Sequence, residues 1–187
     1  VLNFKRGNLE QALCYSDVAA KLGGVEEQVR HAKLLNAIGL YQQVYNQLDP
    51  LIATKGEAKT DPGAIYQLIL ANFALDNREQ TEKLVEVAKD AGLQAAGLDL
   101  GLSMVQAVLD DRRREQILRG EVGAQENPQV ENGDLATELP DELSVDAMRE
   151  RYAAVLREEL LSSPTALFMP IKLVGSVAEL IEKYGQS

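Results

Sequence analysis

A chain of 187 residues with 19 basic and 29 acidic side chains carries a formal net charge of −10, the reverse of the basic excess with which nucleic-acid binders neutralise phosphates. Its single cysteine, Cys14, excludes an internal disulfide and a thiolate metal cluster, and its single histidine, His31, excludes multi-histidine metal sites such as the HExxH zinc motif. Aromatic residues are scarce at 5%, while Ala, Leu, Glu and Gln abound and no run of alternating β-branched residues calls for a strand, so the composition predicts an all-α fold.

The first expected element follows Gly7-Asn8, where Leu9-Glu10-Gln11-Ala12 opens a helix that Gly23 stops. Its Cys14 lies beside apolar positions and reads as a small buried hydrophobe. A second helix covers 25–38, with Val25, Val29, Ala32, Leu35 and Ile38 at steps of three and four, and it places His31 near the packing face as a structural histidine. Gly39 turns the chain into Leu40-Tyr41-Gln42-Gln43-Val44. A further helix covers 64–75, rich in Ile, Leu and Ala, with Asp61-Pro62 as its start signal. After Asp76-Asn77 comes a stripe of Leu84, Val87, Ala88 and Ala91, stopped by Gly92. Gly97 and Gly101 fall in an apolar helical stretch and read as close helix–helix contacts. A turn is expected at Asp110-Asp111, and Arg112-Arg113-Arg114 reads as a solvated helix face.

From Gly120 the character changes. Residues 121–143 contain Asn127-Pro128, Asn132-Gly133 and Pro140 among many carboxylates, and show no apolar face, so an acidic linker or long surface loop is expected. A helix resumes near Ser144 with Val145, Met148, Tyr152, Val155, Leu156 and Leu160 on one side, and Ser163-Pro164 closes it. A last helix covers 170–184, with Ile171, Val174, Val177, Ala178 and Ile181 as its stripe. This C-terminal pair, within 144–187, would cap the preceding array or contact a partner.

An internal repeat is visible. Asn8, Glu10, Gln11, Val18, Ala19 and Gly23 recur as Asn77, Glu79, Gln80, Val87, Ala88 and Gly92, an offset of 69 residues (77 − 8). That is close to twice the roughly 34-residue period of helix–turn–helix repeats. Turns at 7, 39, 76 and 110 would divide the chain into units of 32, 37 and 34 residues. On these residues 1–120 resemble the tetratricopeptide family: Ala12 and Ala19 match its two second-helix alanines, Ala88 matches the later one, and Ala32 and Ser103 stand at crossing positions. Val44 and Thr81 stand where the family has the early Ala.

The resemblance implies an α-hairpin solenoid, a right-handed superhelix with two extra C-terminal helices. Its first helices would line a concave groove at Val29, Lys33, Asn36, Tyr66, Leu70, Phe73, Leu100 and Met104, with Ala107 beside them. The implied task is non-catalytic binding of another protein, as an amphipathic helix or extended peptide, with no cofactor and no nucleic acid. The alternative for the same residues is packing against the C-terminal helices. The alternative functions are a helical-repeat RNA-binding module and an α-solenoid ligand sensor or enzyme accessory domain. No phosphate-binding glycine loop or catalytic triad pattern appears, and no run reaches the roughly 20 apolar residues of a membrane span. With no signal-like opening segment and one lone thiol, a reducing cytoplasmic compartment is expected.

Overall fold

The computed structural model describes residues 8–53, 61–90, 98–121, 139–162, 166 and 168–185, and every regular element among them is helical. Six helices come first: α1 (Leu9–Leu22), α2 (Val25–Ala37), α3 (Tyr41–Ala53), α4 (Pro62–Ala74), α5 (Arg78–Asp90) and α6 (Asp99–Leu118). Two more follow, α7 (Val145–Arg151) and α8 (Ile171–Tyr184), with short 3-10 turns at Asp141–Leu143 and Glu158–Leu160. None of these helices is long and apolar enough to cross a membrane.

One turn chemistry ends three of the helices. At the end of α2, Gly39 takes φ +83°, its N–H bonds to the Asn36 carbonyl at 3.2 Å, and the Leu40 N–H reaches back to the Leu35 carbonyl at 2.9 Å. At the end of α4, Asp76 takes φ +60° and the Asn77 N–H bonds to the Asn72 carbonyl at 3.0 Å. At the end of α6, Gly120 takes φ +71° and the Glu121 N–H bonds to the Gln116 carbonyl at 2.9 Å. All three are Schellman motifs, which satisfy the last orphaned carbonyls of a helix through one left-handed residue. Asp can fill that place because its short polar side chain tolerates the left-handed region. Starts are set locally too: Asp61 Oδ1 accepts from the Ala64 N–H at 2.8 Å with Pro62 in the first turn.

The core is built around α4, whose residues from Ala64 to Phe73 are all buried. A helix apolar on every side must be enclosed, and α4 packs against α2, α3, α5, α6 and α8. In the first part of the chain each helix lies on the next, and α2, α4 and α6 also touch in succession. The residue five places after positions 7, 39 and 76 is buried each time, as Ala12, Val44 and Thr81. Thr81 satisfies its hydroxyl by donating to the Asn77 carbonyl at 2.8 Å. α8 lies across α4 and α6, so that Leu173, Val177, Leu180 and Tyr184 join the same core.

Four local expectations need correction. The chain does not turn at Asp110-Asp111: α6 runs through both, because Asp110 is held inside by other side chains and continuing the helix buries Ile117. The helix after Ser144 stops at Arg151 and gives way to irregular turns, although Met148, Tyr152 and Val155 are buried as expected. In α8 the inward stripe is Leu173, Val177, Leu180 and Tyr184, and Ile171 stands 85% exposed. That register wins because it buries larger side chains and brings the Tyr184 hydroxyl to a carboxylate on α6. In α1, Ala20 is fully packed while Ala19 is only half-buried; in α5, Ala88 is buried at the expected place. The expected turn at Gly7, the stop at Gly92, most of the segment 121–143 and the closing Ser163-Pro164 lie outside the described residues.

Candidate functional site

The eight groove positions lie on the helices expected to carry them, and the succession α2, α4, α6 puts them on neighbouring elements. They do not form an open groove. Asn36, Tyr66, Leu70, Phe73 and Met104 are buried, and Ala107 with them. Val29 and Leu100 are half-buried, and Lys33 is exposed. The physical reasons are the packing of α2, α4 and α6 on one another and the apolar stripe that α8 adds against α4 and α6.

Each buried position has an internal role. Asn36 Nδ2 donates to both the backbone carbonyl and Oε1 of Gln67 at 2.9 Å, tying α2 to α4. Tyr66 lies on Gly101, where a Cβ would overlap its hydroxyl, and this lets α4 and α6 approach closely; burial pushes the Tyr66 phenol up to about 12. Gly101 thus makes the close helix–helix contact expected of it, while Ser103, expected at a crossing, is half-buried. The Phe73 ring has the Arg112 guanidinium 5.1 Å from its centroid. Lys33 Nζ sits 4.5 Å from the Phe168 ring centroid, just before α8. Val29 rests against the start of α4, where a Cβ on Gly63 would meet it at 3.0 Å.

An ionic seam fastens the C-terminal helices to α6. Lys183 Nζ bonds Asp111 Oδ1 at 2.6 Å and Glu115 Oε1 at 2.8 Å, and the Tyr184 hydroxyl donates to Asp111 at 2.5 Å. Burial opposes the Lys183 ammonium, but the bonds to Asp111 and Glu115 outweigh it and hold its pKa above the ordinary lysine range. The same bond to Lys183 lowers Glu115. Higher on α6, Asp110 accepts from Gln106 at 2.9 Å and from the Tyr152 hydroxyl at 2.5 Å, with Arg151 at 3.4 Å. Burial, then the Asp110 carboxylate, raise the Tyr152 phenol far above its usual value. At the other end of α8, Lys172 pairs with Asp76 in the α4–α5 turn. The triple-arginine run is therefore not simply a solvated face: Arg112 stacks on Phe73, and Arg114 Nη1 reaches the Tyr184 hydroxyl at 3.4 Å.

His31 is buried between α1 and α2, with Nδ1 2.8 Å from Ser16 Oγ. Burial depresses its pKa, partly opposed by Asp17. Cys14 is exposed, contrary to the expectation of a buried thiol, because α1 turns Ala12 and Ala20 inward instead. Also on the outer side of α1 stand Tyr15, Val18 and Leu22, at 66%, 49% and 85% exposure. Their i, i+3, i+7 spacing was legible in the sequence, but nothing in it told an outward stripe from an inward one. Two shallow clefts of about 340 Å³ flank α6, one lined by Glu82, Lys83, Glu86 and Arg113, the other by Arg78, Arg112 and Arg119 with carboxylates between them. In the second, Arg78 is already engaged by Glu82 and Gln116, and Arg119 by Glu115.

These features define a class, an all-α protein whose C-terminal helix packs into the same core as its central helices. Beyond that class, the chain matches no protein-family model, no curated protein and no solved structure.

Proposed function

We propose that this chain is a tetratricopeptide-like α-hairpin array that binds another protein and performs no catalysis itself. The observation that carries the reading is the repeated unit: helix, left-handed turn residue, helix, with α2, α4 and α6 touching in file and the alternate helices flanking them. An array of this kind builds its stability from nearest-neighbour contacts and presents extended surfaces, which suits recognition of a helix or peptide. Because α8 occupies the α4–α6 side, a partner reaches the remaining open positions, Lys33 and the half-buried Val29 on α2 and Leu100 on α6, rather than the buried five.

The test uses the exposed Lys33, which lies outside the core and borders the Phe168 ring. Tagged wild-type chain and Lys33→Glu are passed over the same native extract, and recovered proteins are compared quantitatively. The expected result is at least one protein enriched by wild type and depleted with the variant. Identical recoveries from both, or a turnover measured for the purified chain on any substrate, overturn the reading.

A further inference from the structure

We propose that the α1–α2 joint is an acid-sensitive hinge, in which protonation of His31 releases α1 from α2 while the rest of the helical core stays folded. His31 is the only histidine of the chain, and it is buried where the two helices meet. α2 is the main packing partner of α1. The apolar hold on the joint is thin: α1 buries only Ala12 and Ala20, with Leu13 partly buried against the core. Among the described residues, the contact of Ser16 Oγ with His31 Nδ1 at 2.8 Å is the one side-chain hydrogen bond that ties α1 to another helix. The side chain that titrates nearest neutral pH therefore sits on the polar tie of α1. α2 itself is held from its other side, where it packs on α3 and α4 and Asn36 bonds Gln67, so α1 can leave without dissolving that packing.

The hydrogen bonds fix where acid acts. The Ser16 hydroxyl donates to the Leu13 carbonyl at 3.0 Å, so Nδ1 supplies the proton of the bond to Ser16 and Nε2 keeps its lone pair. Acid adds a second N–H at Nε2, which has no bonding partner in the protein. Two charged groups act on the ring: Asp17 favours the added proton and Lys21 opposes it, and the two, both on α1, are paired with each other at 2.6 Å. α3 and α4, which also pack on α2, bring no charged group to bear on the ring, nor does α2 itself. The imidazolium is thus left in the joint without a carboxylate of its own, and the cost of burying it exceeds the help from Asp17. Opening the joint returns the ring to water. The open form then holds the proton more tightly than the closed form, so acid shifts the balance towards opening from about pH 6.5 downward.

The test follows hydrogen–deuterium exchange of the full chain by mass spectrometry between about pH 7 and about pH 5, with rates corrected for the intrinsic pH dependence of exchange. Peptides from residues 9–22 should lose about two- to tenfold in protection, the range that a difference of up to about one pKa unit between the open and closed joint allows. Peptides from residues 62–74 should change far less. His31→Gln should abolish the pH response of α1. Ser16→Ala should lower the protection of α1 at both ends of the range and keep the response, since the histidine still titrates. The lone histidine also gives a single Cε1–H proton resonance, whose titration midpoint should fall below 6.5. A midpoint at or above 6.5, an equal loss of protection in residues 62–74, or an unchanged pH response of α1 in His31→Gln overturns the proposal. Because the resonance and the exchange of the wild-type chain read the joint directly, a His31→Gln variant that fails to fold still leaves the proposal open to refutation.

Discussion

His31 and Gly101 show how single residues set the tolerances of this fold. His31 is held neutral between α1 and α2, and burial lowers its pKa from the ordinary 6.5. Between the folded and unfolded pKa values the unfolded chain binds more protons, so stability is full above about 6.5 and falls as pH drops below it. The denaturant midpoint should decline between pH 7 and 5.5, and His31→Gln should flatten that decline. The ion-paired Glu79 and Glu115, whose pKa values are lowered from 4.5, act in a separate window below that value. A midpoint equally pH-dependent in both proteins would mean that His31 is not buried neutral. At Gly101, a Cβ would collide with the Tyr66 hydroxyl, and Tyr66 is fixed in the core. Gly101→Ala should cost about 1–3 kcal/mol through overpacking. Combining it with Tyr66→Leu should recover part of that loss in a double-mutant cycle, whereas additive losses would show the two residues do not touch.

At the scale of elements, the turns are the decisive joints. Gly39 sits at φ +83°, where a side chain meets its own backbone, whereas Gly24 is extended with open space around its missing Cβ. Gly39→Ala should therefore destabilise by about 1–2 kcal/mol, while Gly24→Ala, at the N-cap of α2 with no left-handed backbone to strain, should cost less. Equal effects in thermal melts would contradict the turn assignment. Much of this was legible: Asp61-Pro62, Gly39 and Asp76-Asn77 mark helix boundaries by local stereochemistry that tertiary contacts do not alter. The failure at Asp110-Asp111 has the same origin in reverse. Val108-Leu109-Asp110-Asp111-Arg112 echoes the Asp76 turn, but a carboxylate bonded by Tyr152 and Gln106 can stay inside a continuous helix. That partner arrives from 42 residues away, beyond the reach of any local pattern.

Across the whole molecule, α8 makes the C-terminal segment part of the same core as α4 and α6. Leu173 is fully buried there, so Leu173→Ala should cost about 2–5 kcal/mol. Because the core is shared, the loss should appear as one lowered cooperative transition, followed alike by far-ultraviolet circular dichroism and by tyrosine fluorescence. Two separated transitions, with the first-part helices melting at their unaltered midpoint, would show instead that α8 is a detachable appendage. The ion pairs along the seam add orientation more than energy, since partly exposed pairs such as Lys183 with Glu115 contribute only about 0–1 kcal/mol.

The sequence by itself determined the all-α class and the places where most helices begin and end. Propensity, capping and turn stereochemistry act over a few residues, so those features are written locally. Only the tertiary structure decided that α8 turns Leu173, Val177, Leu180 and Tyr184 inward rather than Ile171, and that five of the eight groove positions are buried. It also decided that Cys14, Tyr15, Val18 and Leu22 face outward. A helical stripe specifies that a face is apolar; which neighbour covers it depends on contacts between residues far apart in the chain, where burial of the larger side chains and the hydrogen bonds of Asp110 and Asp111 choose one packing over the other.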